Sequence, residues 1–422
     1  MSDRATYSVA FLASTILLQR LAIPLGAQQI SVTIPVGLAI LALGIHAGEF
    51  RWRPAKVRLV ALVFLAAVVA TLLQLVTGIA PSLLSLALLL ALYGMAGLSA
   101  DLGDGAVARV ERAFVGIMSV AAVVSVGQLA LQYAGVPHED YLARVVPGAF
   151  LLQGYNTGDP ITYGESLIRS NAVLFLEPSF LSLFLGLAVA LSVHRGASWA
   201  LVGILLVGMI PTLAGSGFVV LLPALVLLAA TRRRLRLLAV IPAVAAAAVV
   251  AVVTPLGELY LERSTEASNP NTSSSNRLVQ PYSELIPPSL DDATSAAIGH
   301  GAGTADGFLI SQGLFDVTAP VLPKVLYEYG LLGIAGIVLP LLLLLLSGVR
   351  ARPWAAGLLI AYFYVNASLL QSTLVFATLF WISLQPARTA TATLRPDRAR
   401  WHRRAPESTQ REPVPASGRP IG

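Results

Sequence analysis

The sequence predicts an all-α, polytopic integral membrane protein with about twelve transmembrane helices. Three observations carry that expectation. Of 422 residues, 56% are hydrophobic and only 12% are charged, about half the charged share of an ordinary soluble domain. The mean hydropathy is +0.76. Apolar runs recur along the chain at roughly 20 residues, the length a helix needs to cross a ~30 Å hydrocarbon layer. This balance excludes a soluble globular enzyme.

Apolar runs between charged or Pro/Gly-rich breaks place spans near residues 5–24, 28–47, 57–77, 81–99, 110–133, 171–193, 198–214, 216–230, 237–254, 328–347, 354–370 and 372–386. The first run ends in Gln19-Arg20 with no small-residue cleavage site behind it, so it reads as an uncleaved span. Basic clusters set the orientation. Arg51/Arg53/Lys56/Arg58, Arg232/Arg233/Arg234/Arg236, Arg350/Arg352 and the Arg-rich tail all fall on one side if both termini are cytoplasmic. That map puts 22 basic residues inside and six elsewhere: Arg20, Arg144, Arg169, Arg263, Arg277 and Lys324. The net charge of +6 is thus a topology signal and not a nucleic-acid surface.

Residues 1–387 are expected to form the transmembrane domain, and 388–422 a disordered basic cytoplasmic tail. Two outward segments, 134–170 and 255–318, are too long for simple connections and are read as functional loops. The second opens with Glu258, Glu262, Arg263 and Glu266 and continues through the polar tract Ser268 to Asn276. It ends in the run Gly299-His300-Gly301-Ala302-Gly303. The chain has no cysteine, which excludes disulfides, thiol catalysis and cysteine-ligated metal. No two of its five histidines stand at metal-ligand spacing, so no metal site is expected.

Four residues have chemistry to offer. Arg169 lies where the first loop enters the sixth span, and its five fixed donors suit phosphate oxygens, although a snorkelling arginine anchors a helix end equally well. Glu177 precedes Pro178 among apolar residues, at a helix break or helix start, where it acts in chemistry or pairs with an arginine. Arg277 follows the polar tract; spacing alone reads it as a solvated loop charge. His300 sits between Gly299 and Gly301, with Gly303 beyond, in a run that allows close backbone approach to a ligand. Imidazole is also the side chain best suited to accept a proton near neutral pH. The run is not a dinucleotide fingerprint, since position 306 is Asp, and Gly215-Ser216-Gly217 lacks the outer glycines of a nucleophile elbow.

The order Arg169, Glu177-Pro178-Ser179, a long outward loop with Ser275-Asn276-Arg277 and Gly299-His300-Gly301-Ala302-Gly303, then Tyr327-Glu328-Tyr329-Gly330-Leu331-Leu332-Gly333, resembles the O-antigen polymerase and O-antigen ligase superfamily. The resemblance implies a bacterial inner-membrane enzyme that performs metal-independent, inverting glycosyl transfer at the outer face and needs no cofactor. Its donor and acceptor are polyprenyl-diphosphate-linked glycans. Membrane lipids, a chain-length regulator and a flippase are the implied partners.

On that pattern Arg169 and Arg277 hold the diphosphate, and Gly299, Gly301, Gly303 and Lys324 join the substrate site. His300 is the favoured base, with Glu177 orienting an arginine; Glu177 is the rival base. The ligase branch carries a histidine shortly before the glycine of the following helix. Here that stretch reads Ala319-Pro320-Val321-Leu322-Pro323-Lys324, which favours the polymerase branch. A ligase and a non-enzymatic carrier or flippase of the same lipid-linked sugar are the alternatives. A carrier would place ionisable groups and helix breaks near the bilayer midplane.

Overall fold

Apolar runs punctuated by proline, glycine and arginine become helices because a backbone surrounded by apolar groups must satisfy its own N–H and C=O groups. In the computed structural model, residues 5–26, 28–158, 160, 167–232, 275–315, 317–365 and 369–384 are described. The expected span 237–254, the loop residues 255–274 and the tail 388–422 lie outside them.

The described chain is mainly helical. Among the described residues, four helical stretches are long and apolar enough to cross a membrane: α3 (Pro54–Val76), α5 (Asp104–Tyr133), α7 (Pro178–Arg195) and Val321–Ala351, which is kinked at Gly330. Seven further apolar helices have 10 to 17 residues, too short to span at 1.5 Å per residue without help. They include α1 (Thr6–Leu17), α2 (Thr33–His46), α8 (Trp199–Met209) with its 3-10 extension, and α9 (Ser216–Arg232). Large apolar side chains such as Leu65, Leu72, Val120 and Leu343 face outward from the long helices. Long apolar helices with apolar outer flanks point to a membrane protein.

Two departures from the expected all-helical layout have local causes. Strands β1 (Ala22–Leu25) and β2 (Gln28–Ser31) pair antiparallel, Ala22 with Ser31, which shortens the first two expected spans. A second two-stranded ladder joins β3 (Phe50–Trp52) to β4 (Leu98–Ala100). The sixth expected span also starts late, because α7 begins only at Pro178. Pro178 bars the residue before it from helical geometry, and Glu177 is extended at φ −146°, ψ 161°.

Upstream of α7, Ala172 and Val173 carry positive φ angles of 47° and 67°, a costly state for a β-branched residue. Polar side chains hold this irregular stretch. The Val173 amide donates to Asn171 Oδ1 at 3.0 Å, and Arg20 Nη1 donates to the Val173 carbonyl at 2.8 Å.

Helix α7 is the centre of the fold: every residue from Pro178 to Val193 is buried, against α5, α8 and α9. Small residues let the backbones meet. A Cβ on Gly186 would lie 2.3 Å from the Gly217 carbonyl oxygen, and one on Gly217 2.5 Å from that of Ser182. Ser216 Oγ donates to the Ser179 carbonyl at 2.6 Å, so Gly215-Ser216-Gly217 starts α9 against α7.

A second close crossing joins α12 (Ala293–Ile298; α10 is Ser275–Leu278 and α11 Gln280–Ser289) to the helix after it in space, α14 (Val321–Gly333), beyond α13 (Ala305–Ser311). Gly330 breaks α14 with φ 61°, ψ −158°. A Cβ there would lie 2.6 Å from Ala297 C, and one on Gly299 2.4 Å from Glu328 C. The break leaves carbonyls of α14 open to partners from elsewhere. His300 N donates to Tyr327 O at 2.8 Å, Gly301 N to Glu328 O at 3.2 Å, and Gln74 Nε2, near the end of α3, to Glu328 O at 2.7 Å.

This crossing supplies the first prediction. Gly299→Ala and Gly330→Ala combine a left-handed backbone with a backbone clash, and each should lower stability by more than about 2 kcal/mol. Gly307→Ala, in an exposed helical position with open space around it, should stabilise by about 0.5–1 kcal/mol. Thermal unfolding of the three purified variants checks this; equal melting temperatures would contradict it.

Candidate functional site

Glu177 is the residue from which the site is built. As the N-cap of α7 it stands where an amide-rich helix start favours a carboxylate. Its side chain is mostly buried, at 12% exposure, and Oε2 accepts from Arg277 Nη2 at 2.5 Å. Ser179 Oγ donates to the same oxygen at 2.9 Å. Among the described residues the second oxygen, Oε1, has only the Asn156 amide, at 3.5 Å, which leaves lone pairs for a ligand. Arg277 arrives on α10, 100 positions later in the chain.

Around this ion pair is a small cavity of about 40 Å³, lined by Tyr155, Glu177, Ser179, Phe180, Arg277, Thr318 and Gln371. It has room for a phosphate or hydroxyl oxygen, not for a whole sugar. Tyr155 comes from the first long loop, packed edge-on to Phe180 with ring centroids 6.2 Å apart, and it lines the cavity together with Gln371. Burial, aided by the Glu177 carboxylate, pushes its phenol up to about 12, so it keeps its proton at neutral pH. Asp306 and Lys324, outside that lining, lie within electrostatic reach of Tyr155 as a second charged group.

That group is buried deeper. Lys324 and Glu328 are each 1% exposed. Lys324 Nζ lies 2.6 Å from Asp306 Oδ2 and 3.6 Å from Glu328 Oε1. Neither Glu328 carboxylate oxygen has a hydrogen-bond partner among the described residues, so the Lys324 ammonium is its compensation. Charges buried this far persist because each has a partner.

The other expected site residues fall in different places. His300 Nε2 is 2.9 Å from the Pro288 carbonyl. A carbonyl only accepts, so Nε2 carries the proton and Nδ1 is left as the basic nitrogen. The ring stacks on Tyr327 at 4.5 Å. His300 does not line the cavity that holds Glu177 and Arg277.

Gly299, Gly301 and Gly303 do permit close approach, but to the protein's own chain. They meet α14, the Ile79–Pro81 turn and Ser85 of α4 (Leu83–Gly94), respectively. Arg169 is buried at 7% exposure on the segment ahead of α7, where its neighbours Ile168 and Ser170 bind Gln132 and Gln128 of α5. It does not line the cavity either. The pair brought together at this cavity is Glu177 with Arg277.

Tyr155, Gln371 and Asp306 were missed because no local pattern marks a loop tyrosine, a helix-capping glutamine or one acidic residue among several. A further missed pair fixes the first loop: buried Arg20 binds Asp140 at 2.5 Å, and Thr157 Oγ1 donates to the same carboxylate at 3.3 Å. Among the described residues, no three His, Asp or Glu side chains gather at metal-ligand spacing. No protein-family model and no curated protein matches this sequence.

The Arg20–Asp140 pair gives a pH dependence. Burial opposes the Asp140 charge, but the Arg20 guanidinium outweighs it and holds the carboxyl below its ordinary range. A lowered folded-state value stabilises the loop above the ordinary carboxylate range and is lost as pH falls through that range and below it. Amide protection in residues 136–158, measured relative to the intrinsic exchange rate at each pH, should therefore fall more than in α7 between about pH 5 and pH 3. Arg20→Met should remove most of that pH dependence, and an unchanged profile in the variant would contradict the assignment.

Proposed function

We propose that this chain is a glycosyltransferase of the bacterial cytoplasmic membrane that joins polyprenyl-diphosphate-linked oligosaccharide units at the outer face, in the manner of an O-antigen or exopolysaccharide polymerase. The proposal includes twelve spans, cytoplasmic termini and the long loops outside. The observation that carries it is the Glu177–Arg277 pair, a guanidinium held in a niche of oxygen-atom size at one end of the helices, with Tyr155 and the Lys324–Asp306 pair beside it.

The reaction needs few groups. The acceptor hydroxyl attacks the anomeric carbon of the donor, the bond from that carbon to the diphosphate oxygen breaks, and the polyprenyl diphosphate leaves with the electron pair. Negative charge grows on the leaving group, where a fixed guanidinium stabilises it; one such donor is worth ~3 kcal/mol. Arg277 takes that role. The hydroxyl proton goes to a base within hydrogen-bond reach. Among the described residues Glu177 is the only carboxylate lining the cavity, and its Oε1 has just the Asn156 amide while Oε2 anchors Arg277. The base therefore moves from His300, the sequence-based favourite, to Glu177. Arg169 and Lys324 act on this reading through position and field.

A carrier of the same lipid-linked glycan is the second reading, favoured by one observation: the buried Lys324–Glu328 pair inside the Val321–Ala351 stretch. Incubation of purified protein in detergent with a defined lipid-linked oligosaccharide separates the two, because only an enzyme lengthens the glycan without a membrane compartment. A product ladder is expected. Glu177→Gln and Arg277→Lys should each slow extension about a hundredfold or more at normal protein abundance. His300→Ala should keep its pH–rate profile. Glycan binding without extension would support the carrier, and loss of an acidic limb in His300→Ala alone would return the base to His300.

A further inference from the structure

The helices have a second polar end. α3 carries Gln74 at the candidate site and Lys56 eighteen residues earlier, about 27 Å away along the axis. There a cavity of about 360 Å³ opens, and its lining includes three cations, Arg53, Lys56 and Arg352, with Ser99, Ser347 and Ser383 between them. Among the described residues, no carboxylate lines it.

The cations are placed by neutral groups. Lys56 Nζ donates to Ser383 O at 2.5 Å, Leu98 O at 3.1 Å and Ser383 Oγ at 3.2 Å. Arg352, only 8% exposed, donates from Nη1 to Ile382 O at 2.8 Å. Carbonyls fill donors and take up part of a charge, but they do not neutralise three charges around one space. The carboxylate within electrostatic reach of Arg352, Glu111, is itself bound by Arg195. Arg53 is exposed at the rim.

We propose that this cavity binds a phosphate group, that of an anionic phospholipid headgroup. Its volume is in the range of small-ligand sites, and its cations and hydroxyls are the donors phosphate oxygens take. Apolar Leu344 and Ile382 in the same lining suit the glycerol and first methylenes of a lipid. Basic pockets between transmembrane helices bind such headgroups. The inference is independent of the glycosyl-transfer reading.

The test uses the full chain in neutral detergent, melted with phosphatidylglycerol, phosphatidylcholine or inorganic phosphate, in wild type, Arg53→Gln, Ser347→Asp and Arg58→Gln. Arg352 is left intact because its bond to Ile382 joins two helices, and Arg58 is an exposed cation outside the lining. Saturable stabilisation by phosphatidylglycerol and not phosphatidylcholine is expected. Arg53→Gln should need about fivefold more lipid, Ser347→Asp should show no shift, and Arg58→Gln should match wild type. A shift with inorganic phosphate alone, lost in Ser347→Asp, supports the site and makes its ligand a soluble phosphate. Equal responses from Arg53→Gln and Arg58→Gln, equal responses to the two lipids, or no response to either phosphate probe would overturn the proposal.

Discussion

A charged side chain in apolar surroundings must be met by a partner, and the Glu177–Arg277 pair is where that constraint organises this protein. Glu177 cannot stand uncompensated at the head of a fully buried helix, and the partner that satisfies it comes from the far side of the long central loop. Docking Arg277 there brings α10 onto the start of α7, with Tyr155 of the first loop and Gln371 of a late helix closing the same niche. One ion pair thus gathers four separate stretches of chain. Breaking such a pair is costly because it leaves a charge behind, whatever the intact pair itself contributes.

The same logic recurs at each polar point. Arg20 with Asp140 ties the first loop to the end of α1, Lys324 with Asp306 and Glu328 ties α13 to α14, and Arg195 with Glu111 ties the far end of α7 to α5. The basic cavity at Arg53, Lys56 and Arg352 departs from it, with three cations and, among the described residues, no lining carboxylate. Between the two ends the structure relies on small residues, which bring α7 and α9, and α12 and α14, to backbone contact.

Much of this was legible in the sequence, for reasons that can be named. Among the described residues, the expected spans outside 237–254 each overlap an apolar helix, because an apolar run has few other ways to satisfy its backbone; four of these helices reach spanning length, so the expected count of twelve does not follow from them. Pro178 marked Glu177 as a helix start through the fixed geometry of proline. The partner of Glu177 was not legible, since a pair 100 positions apart leaves no periodic or spacing signal. Gly299, Gly301 and Gly303 announced a close approach but not to what; the helix break at Gly330 turns it inward. The isolated look of His300 in a glycine run said nothing of Pro288 or Tyr327, which occupy its ring.

The claim that the Glu177–Arg277 pair docks residues 275–289 of the second long segment is tested most directly by hydrogen exchange of those residues in wild type and Glu177→Gln. A hydrogen bond between charged groups is worth about 1.5–3 kcal/mol, so amides of that segment should exchange roughly tenfold to a hundredfold faster in the variant. Those in the buried middle of α7 should keep their rates. Equal exchange of residues 275–289 in the two proteins would contradict the account.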